Sequence, residues 1–291
     1  MKQISFITLL LFVVSCTNEN NKTENLNSNF SLASNISNAH VFVNEFGIEG
    51  YYVGYFEASK YDENKDVMYS NKITISIDSL SEKICYGHSI VAGNMRPFKG
   101  GYTKSDDNTF SVKAKEPGDD RYDGTFEFVI NANSKKVAGK WIANDQKLAV
   151  TEREYELELR TFVYNPDLEL PEYLSEEGLY GTYKETDTSS IAESLTNDLY
   201  KFNASKVLLK TKDVENMYQA DLEVLRNSIY ARHGYSFKNR KMRFLFDNAV
   251  DWYMPVSTDI TNNLTAIEKQ NIELLKRYEQ HAVKYYDSFG R

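Results

Sequence analysis

Short runs of alternating apolar and polar residues fill the chain between His40 and about Tyr164. The runs are rich in Tyr, Phe, Val, Ile and Thr, which fit a pleated, half-buried sheet. They span residues 50–58, 72–78, 83–91, 109–114, 124–130, 136–143 and 155–164. Turn-forming residues separate them, and no helical pattern of the kind that parallel strands require lies between them. The sequence therefore predicts an antiparallel meander over residues 40–165 that closes into a barrel or folds into a sandwich.

The first residues of the chain have the pattern of an export signal. Lys2 precedes an apolar run over residues 4–14, which is too short to cross a membrane as a helix. The run ends in Ser15-Cys16 and so resembles the bacterial lipobox, which implies a signal peptide over residues 1–15 and lipid attachment at Cys16. On that resemblance the protein is an extracytoplasmic lipoprotein of the cell envelope with the membrane as a partner. The alternative is an ordinary secretory signal followed by an unrelated cysteine.

Two segments are predicted to be connections rather than compact structure. Residues 16–39 are rich in Asn, Ser and Thr and cannot bury enough apolar surface to offset their ordering entropy, so we expect a flexible tether. Residues 166–213 are acidic and hydroxyl-rich, which predicts a linker with possible extra strands at 178–184 and 199–209. If Cys16 carries lipid, Cys85 is the remaining cysteine of the mature chain, and an internal disulfide cannot form.

The hydrophobic period changes to that of helices after about Val214. Leu222, Leu225 and Ile229 step by three and four, which places them on one helix face. Thr265 and Glu268 have the spacing of a capping box at the start of a later helix. Residues 214–291 are therefore predicted to form a small three-helix domain, which gives the chain an α+β architecture.

The same region resembles the YARHG domain, a small module of extracytoplasmic bacterial proteins, from about residue 221 to residue 279. The resemblance is carried by Leu225-Arg226-Asn227, Ile229-Tyr230-Ala231-Arg232-His233-Gly234, Phe237, Phe244-Leu245-Phe246, Trp252-Tyr253, Pro255, Leu264-Thr265, Glu268 and Asn271-Ile272. The family occurs attached to peptidase and kinase modules among others. The resemblance implies a fold and an extracytoplasmic location but assigns no reaction.

Two interpretations of Arg232-His233-Gly234 are open. In the first, glycine ends a helix in the left-handed conformation while the cations complement the helix dipole. In the second, Arg226, Tyr230 and His233 share a helix face and, with Trp252 and Tyr253, bind an anionic or sugar ligand. A basic cluster over residues 238–243 favours an anionic ligand such as a wall polymer or a lipid headgroup.

Charge and spacing exclude several other functions. A formal net charge of -8 argues against a nucleic-acid partner. The four histidines are far apart in sequence, so we expect no metal site, and no cofactor motif is present. Cys85 and His88 are predicted to face opposite sides of one strand, which makes a catalytic pair improbable.

The function that fits these observations is a non-catalytic binding module. It would hold a small ligand in the β domain or an envelope glycan through the YARHG domain. The alternatives are an envelope hydrolase with its site at the mouth of the β domain, near residues 87–102 and 116–118, and a structural or assembly lipoprotein.

A polar turn at Asp119, Asp120 and Asp123 has clustered carboxylates but lacks the full spacing of a calcium loop.

Overall fold

The structure, a computed structural model, describes residues 46–175, 183–186, 189–192 and 195–285. The predicted signal peptide, Cys16 and the predicted tether lie outside these residues. None of the described helices combines the length and the apolar character needed to cross a membrane.

Eight antiparallel strands form the N-terminal part. They are β1 (Gly50–Tyr61), β2 (Ser70–Ser81), β3 (Ile84–Val91), β4 (Asn94–Lys104), β5 (Thr109–Lys115), β6 (Gly124–Asn131), β7 (Lys136–Ala143) and β8 (Val150–Arg160). Each strand pairs with the next along the chain, and β8 pairs with β1 to close the barrel. The predicted meander is confirmed, and of the two predicted forms the barrel is the one observed. Closure leaves no unpaired edge in this sheet.

Tight turns between the strands keep the meander in register. Glu82 and Lys83, which join β2 to β3, have φ values of 50° and 65°, and Ala92 and Gly93, which join β3 to β4, have 52° and 73°. Positive φ at both central residues is the geometry of two-residue hairpin loops whose twist matches that of the strands.

Side chains fill the inside of the barrel. Alternate residues of the strands point inward and form one buried cluster that includes eight large aromatic side chains: Tyr52, Phe56, Phe98, Phe110, Phe126, Phe128, Trp141 and Tyr155. The rings touch one another, as Phe98 and Phe126 do with centroids 5.3 Å apart. The barrel is therefore a packed core, and the cluster occupies the space that an internal ligand would need.

The C-terminal part is helical. It contains α1 (Thr211–Val214), α2 (Gln219–Arg232), α3 (Arg240–Ala249) and α4 (Ala266–Tyr285), and the three longer helices confirm the predicted three-helix domain and the α+β class. The capping box is present at the start of α4: Thr265 N–H donates to Glu268 Oε2 at 2.9 Å, and Glu268 N–H donates to Thr265 Oγ1 at 3.2 Å.

The segment between barrel and helices is partly structured. A hairpin of β9 (Tyr183–Thr186) and β10 (Ser189–Ala192) lies within it, with short 3-10 helices at Glu172–Ser175 and Asn197–Tyr200. Residues 201–209 form turns instead of the suggested strand, because the Asn203 side chain bonds the backbone at Ser205 and Pro166. This segment also contributes buried residues to the helical core, namely Leu170, Leu174, Leu195, Leu199, Ala204 and Leu209.

The helical part packs against the outer face of the barrel at β2 and the β3–β4 turn. Lys72 is buried there, and its Nζ donates to the carbonyl oxygens of Val250 and Tyr253, each at 3.2 Å. The backbone N–H of Lys72 donates to Asp247 at 2.9 Å, and that of Gly93 donates to Ser236 Oγ at 2.9 Å. These buried hydrogen bonds fix the helices to the barrel wall.

Candidate functional site

Helix α2 ends at the residues that the sequence singles out. Gly234 has φ of +70°, and its N–H donates to Ala231 O at 2.9 Å, while Tyr235 N–H donates to Tyr230 O at 3.1 Å. A Cβ at Gly234 would lie 2.4 Å from Val256 Cγ2, so both conformation and space favour glycine here. The geometry is that of the first interpretation, a helix stop at a left-handed glycine.

Arg232 is buried and binds the segment that follows β8. Its Nε donates to Leu168 O at 2.8 Å, its Nη1 donates to Ser228 Oγ at 2.9 Å, and its guanidinium lies 5.8 Å from the Trp252 ring centroid. Burial lowers the pKa of Arg232 from its usual value, and nearby Glu169 acts in the opposite direction. With only 2% of its surface exposed, Arg232 connects parts of the protein to one another and offers no surface to a ligand.

His233 is also turned inward. Its Nε2 lies 2.8 Å from Glu268 Oε2, and its ring stacks on Tyr164 with centroids 4.2 Å apart. Burial alone would raise the pKa of Glu268, but hydrogen bonds from His233 and from the Thr265 backbone outweigh it and hold that pKa below its usual value. The Tyr164 hydroxyl donates to the second oxygen, Oε1, at 3.0 Å. His233 therefore serves as an internal partner of α4.

A groove of about 640 Å³ opens on the side of α2 away from these contacts. Arg226 and Tyr230 of α2 form one wall, and the chain that follows Gly234 forms another. The remaining lining residues are Glu223, Asn227, Tyr235, Phe237, Lys238, Asn239, Met242, Thr258, Asp259, Ile260, Thr261 and Leu264. Its volume lies within the range of roughly 300–1,000 Å³ typical of small-ligand sites.

Three aromatic residues and two threonines are among the fourteen residues that line the groove. Tyr230 and Tyr235 lie with ring centroids 5.9 Å apart, and both side chains are partly exposed. Among the described residues neither phenol has a hydrogen-bond partner, so both are available to a ligand. Arg226 is engaged, because its Nε and Nη2 donate to the two oxygens of Glu279 at 2.8 and 3.1 Å.

The structure separates the five residues predicted from sequence to bind a ligand. Arg226 and Tyr230 line the groove, but His233, Trp252 and Tyr253 do not. Trp252 Nε1 donates to Glu169 O at 2.7 Å, and the buried Tyr253 hydroxyl donates to Tyr235 O at 2.7 Å. His233 lies at the end of α2, where the chain leaves helical geometry, so the helix face that it shares with Arg226 and Tyr230 in sequence is not maintained.

The wall of the groove that faces α2 was not predicted from the sequence. Thr258, Ile260 and Leu264 lie in a loop without periodicity, and only the tertiary fold brings them opposite α2. Tyr235 was not among the predicted binding residues, and its ring reaches the groove.

The predicted mouth of the β domain is occupied by internal contacts. Glu116 accepts hydrogen bonds from Gly124 N at 2.6 Å and from Trp141 Nε1 at 3.0 Å, and burial raises its pKa. Asp123 accepts from Gly118 N at 2.8 Å and pairs with Arg96 at 3.1 Å. These carboxylates hold the β5–β6 loop in place, and within the described residues no group of metal-binding side chains meets.

Cys85 and His88 point to opposite sides of β3, as predicted. Cys85 is fully buried inside the barrel, whereas His88 points outward, where its Nδ1 lies 2.9 Å from Asp78 Oδ2. A second hollow, of about 850 Å³, lies on the outer face of β5–β8 and β1. Five of its thirteen lining residues are charged, and two of these, Glu127 and Lys140, pair with each other at 3.6 Å.

Residues 199–280 match the YARHG domain family. The match confirms the C-terminal assignment and begins upstream of the predicted domain start at residue 214. No curated protein and no solved structure matches the chain.

Proposed function

We propose that this protein is a lipid-anchored, extracytoplasmic binding protein whose YARHG module holds envelope glycan without catalysing a reaction. The observation that carries the proposal is the groove beside α2, which presents two tyrosine rings whose hydroxyls have no hydrogen-bond partner among the residues that the structure describes. Tyrosine combines a flat apolar face with a hydrogen-bonding tip, which suits the alternating C–H and hydroxyl surfaces of sugars. The YARHG family occurs in extracytoplasmic proteins, which is consistent with a ligand in the cell wall.

The proposal assigns the rest of the chain to attachment and support. Residues 1–15 would be removed as a signal peptide, Cys16 would carry the lipid, and residues 16–39 would act as the tether. The barrel over residues 40–165 would hold the groove at a fixed orientation, because its interior is packed and its wall is hydrogen-bonded to the helices. Residues 166–213 would join it to the module over residues 214–291, and two acyl chains or more would give stable anchoring.

A sedimentation experiment tests this function. Full-length protein in detergent is mixed with purified, insoluble peptidoglycan, and the fraction in the pellet is measured. We expect the wild type to sediment and Tyr230→Ala to sediment several-fold less. Tyr86→Ala is the matched control, because Tyr86 is an exposed tyrosine on the barrel and lies outside the groove. Failure of the wild type to sediment, or equal loss in both variants, would contradict the proposal.

A further inference from the structure

The charges in the groove balance one another. Two acidic residues, Glu223 and Asp259, and two basic residues, Arg226 and Lys238, line it, so its formal charge is zero. Arg226 is held by Glu279, with only 14% and 20% of the two side chains exposed. An anionic ligand that took this guanidinium would leave the Glu279 carboxylate half-buried without its partner, which costs free energy.

The acidic residues of the groove are likewise engaged within the protein. Glu223 pairs with Lys241 at 2.9 Å. Asp259 accepts hydrogen bonds from both the N–H and the hydroxyl of Thr261, at 2.9 and 2.7 Å, and the backbone bond does most to hold its pKa below the usual value. Lys238 and Asp259 are thus the two charged groups of the groove that have no ion pair among the described residues, and their charges are opposite.

The groups left for a ligand are mostly uncharged. Thr258 Oγ1 joins the hydroxyls of Tyr230 and Tyr235 in having no hydrogen-bond partner in the described part of the chain. Beneath them the groove is apolar, with Phe237 and Met242 buried and Leu264 half-buried. A ligand that matches this surface has hydroxyl or amide groups, apolar faces and a small alkyl group, and carries no net charge.

From this pattern we infer that the groove binds an uncharged N-acetylated sugar segment of its polymer and not the polymer's carboxylate or phosphate groups. This inference rests on the proposed function and makes its ligand specific. The sugar's C–H faces lie on the tyrosine rings, the acetamido oxygen accepts from a phenol, and the acetyl methyl group lies on the apolar floor. The hydrogen bond in this arrangement uses a phenol hydroxyl that has no partner in the described part of the chain.

Calorimetric titration of the full-length protein in detergent tests the inference with four-sugar probes. The probes are chitotetraose, which is uncharged and acetylated, cellotetraose, which lacks the acetamido group, and a hyaluronan tetrasaccharide, which is acetylated and carries carboxylates. We expect chitotetraose to bind at least tenfold more tightly than the other two. Its Kd should change less than twofold between 50 and 500 mM NaCl, because exposed charges that salt would screen take no part.

Substitutions then assign the contacts. Tyr230→Phe and Tyr235→Phe each remove one hydroxyl and should weaken chitotetraose binding about threefold to tenfold, the effect of one hydrogen bond. Lys238→Ala should change it less than twofold, and Tyr86→Phe on the barrel should leave it unchanged. Tighter binding of hyaluronan than of chitotetraose, or a tenfold loss with Lys238→Ala, would overturn the inference. Sedimentation with peptidoglycan but no chitotetraose binding refutes the inference alone, whereas absence of both refutes the proposed function as well.

Discussion

Replacing His233 by alanine tests whether this residue supports the fold or faces a ligand. His233 and Glu268 have 3% and 0% of their side chains exposed, so the substitution leaves a buried carboxylate without its main partner. Removing one member of a buried pair costs about 3–5 kcal/mol, and losing the stack on Tyr164 costs roughly 1 kcal/mol more. Glu268 keeps its bonds from Tyr164 and Thr265, which places the total near the lower end, about 4 kcal/mol.

The free energy of unfolding lost in His233→Ala should be larger at neutral pH than at acidic pH. In the wild type the pKa of Glu268 is lowered, so its contribution to stability is present above the unfolded pKa and is lost as the pH falls through the folded one. In His233→Ala the hydrogen bond that opposes the effect of burial is lost, so we expect the pKa of Glu268 to be higher than in the wild type and protonation to relieve part of the cost. The difference in free energy of unfolding between the two proteins is therefore larger at pH 7 than at pH 4.

Urea unfolding measures this difference. Circular dichroism at 222 nm follows the helices, while tryptophan fluorescence reports both Trp252 in the module and Trp141 in the barrel. His233→Gln is the control, because its amide can still donate to Glu268, and we expect it to lose roughly half as much stability as alanine. A His233→Ala variant that unfolds within about 1 kcal/mol of the wild type while losing peptidoglycan binding would refute the assignment of His233 to the interior.

Two further predictions concern buried titrating groups. Burial between α3 and β2 raises the pKa of Asp247 to about 7, so wild-type stability should fall as pH rises from 4 to 7, by at most about 4 kcal/mol from this group. Asp247→Asn should reduce the dependence of the free energy of unfolding on pH, as measured by urea unfolding. Part of the dependence should remain, because the pKa of Asp221 is also raised, to about 6. An unchanged pH dependence would contradict the raised pKa of Asp247. Burial also raises the pKa of Cys85 to about 12. A thiol reagent should therefore detect no reactive thiol in the native acylated protein and one thiol after denaturation. Detection of one thiol in the native protein would show that Cys16 is unmodified.

Local pattern was sufficient to predict most of the fold. Alternation and turn residues defined the meander because each strand pairs with its neighbour in sequence, so that no long-range information was needed. The end of α2 could be predicted for the same reason, since Gly234 ends the helix through backbone bonds to Ala231 and its neighbours. The turns at 201–209 were not predicted, because the Asn203 amide reaches Pro166, 37 residues away, and no local pattern shows that bond.

The binding site was less predictable because its residues are selected by partners distant in sequence. A helical wheel places Arg226, Tyr230 and His233 on one face, so the sequence alone predicts that all three are accessible to a ligand. What distinguishes them is that Arg226 pairs with Glu279, 53 residues later, and His233 with Glu268, 35 residues later. The Tyr230 hydroxyl, by contrast, has no hydrogen-bond partner within the described residues, and for this reason the groove is better described by its hydroxyls than by its cations.

The motif that names the family acts as a joint between parts of the protein. Arg232 binds Leu168 and His233 stacks on Tyr164, so two consecutive residues at the C-terminal end of α2 hold the segment that follows β8. The same histidine reaches Glu268 on α4, so the orientation of α2 is determined from both sides. Residues 199–280, which match the family, contain Glu268 but neither Tyr164 nor Leu168. In this protein, therefore, the segment that follows β8 completes the hydrogen bonding and ring stacking of the module. The barrel in this way sets the direction in which the groove opens.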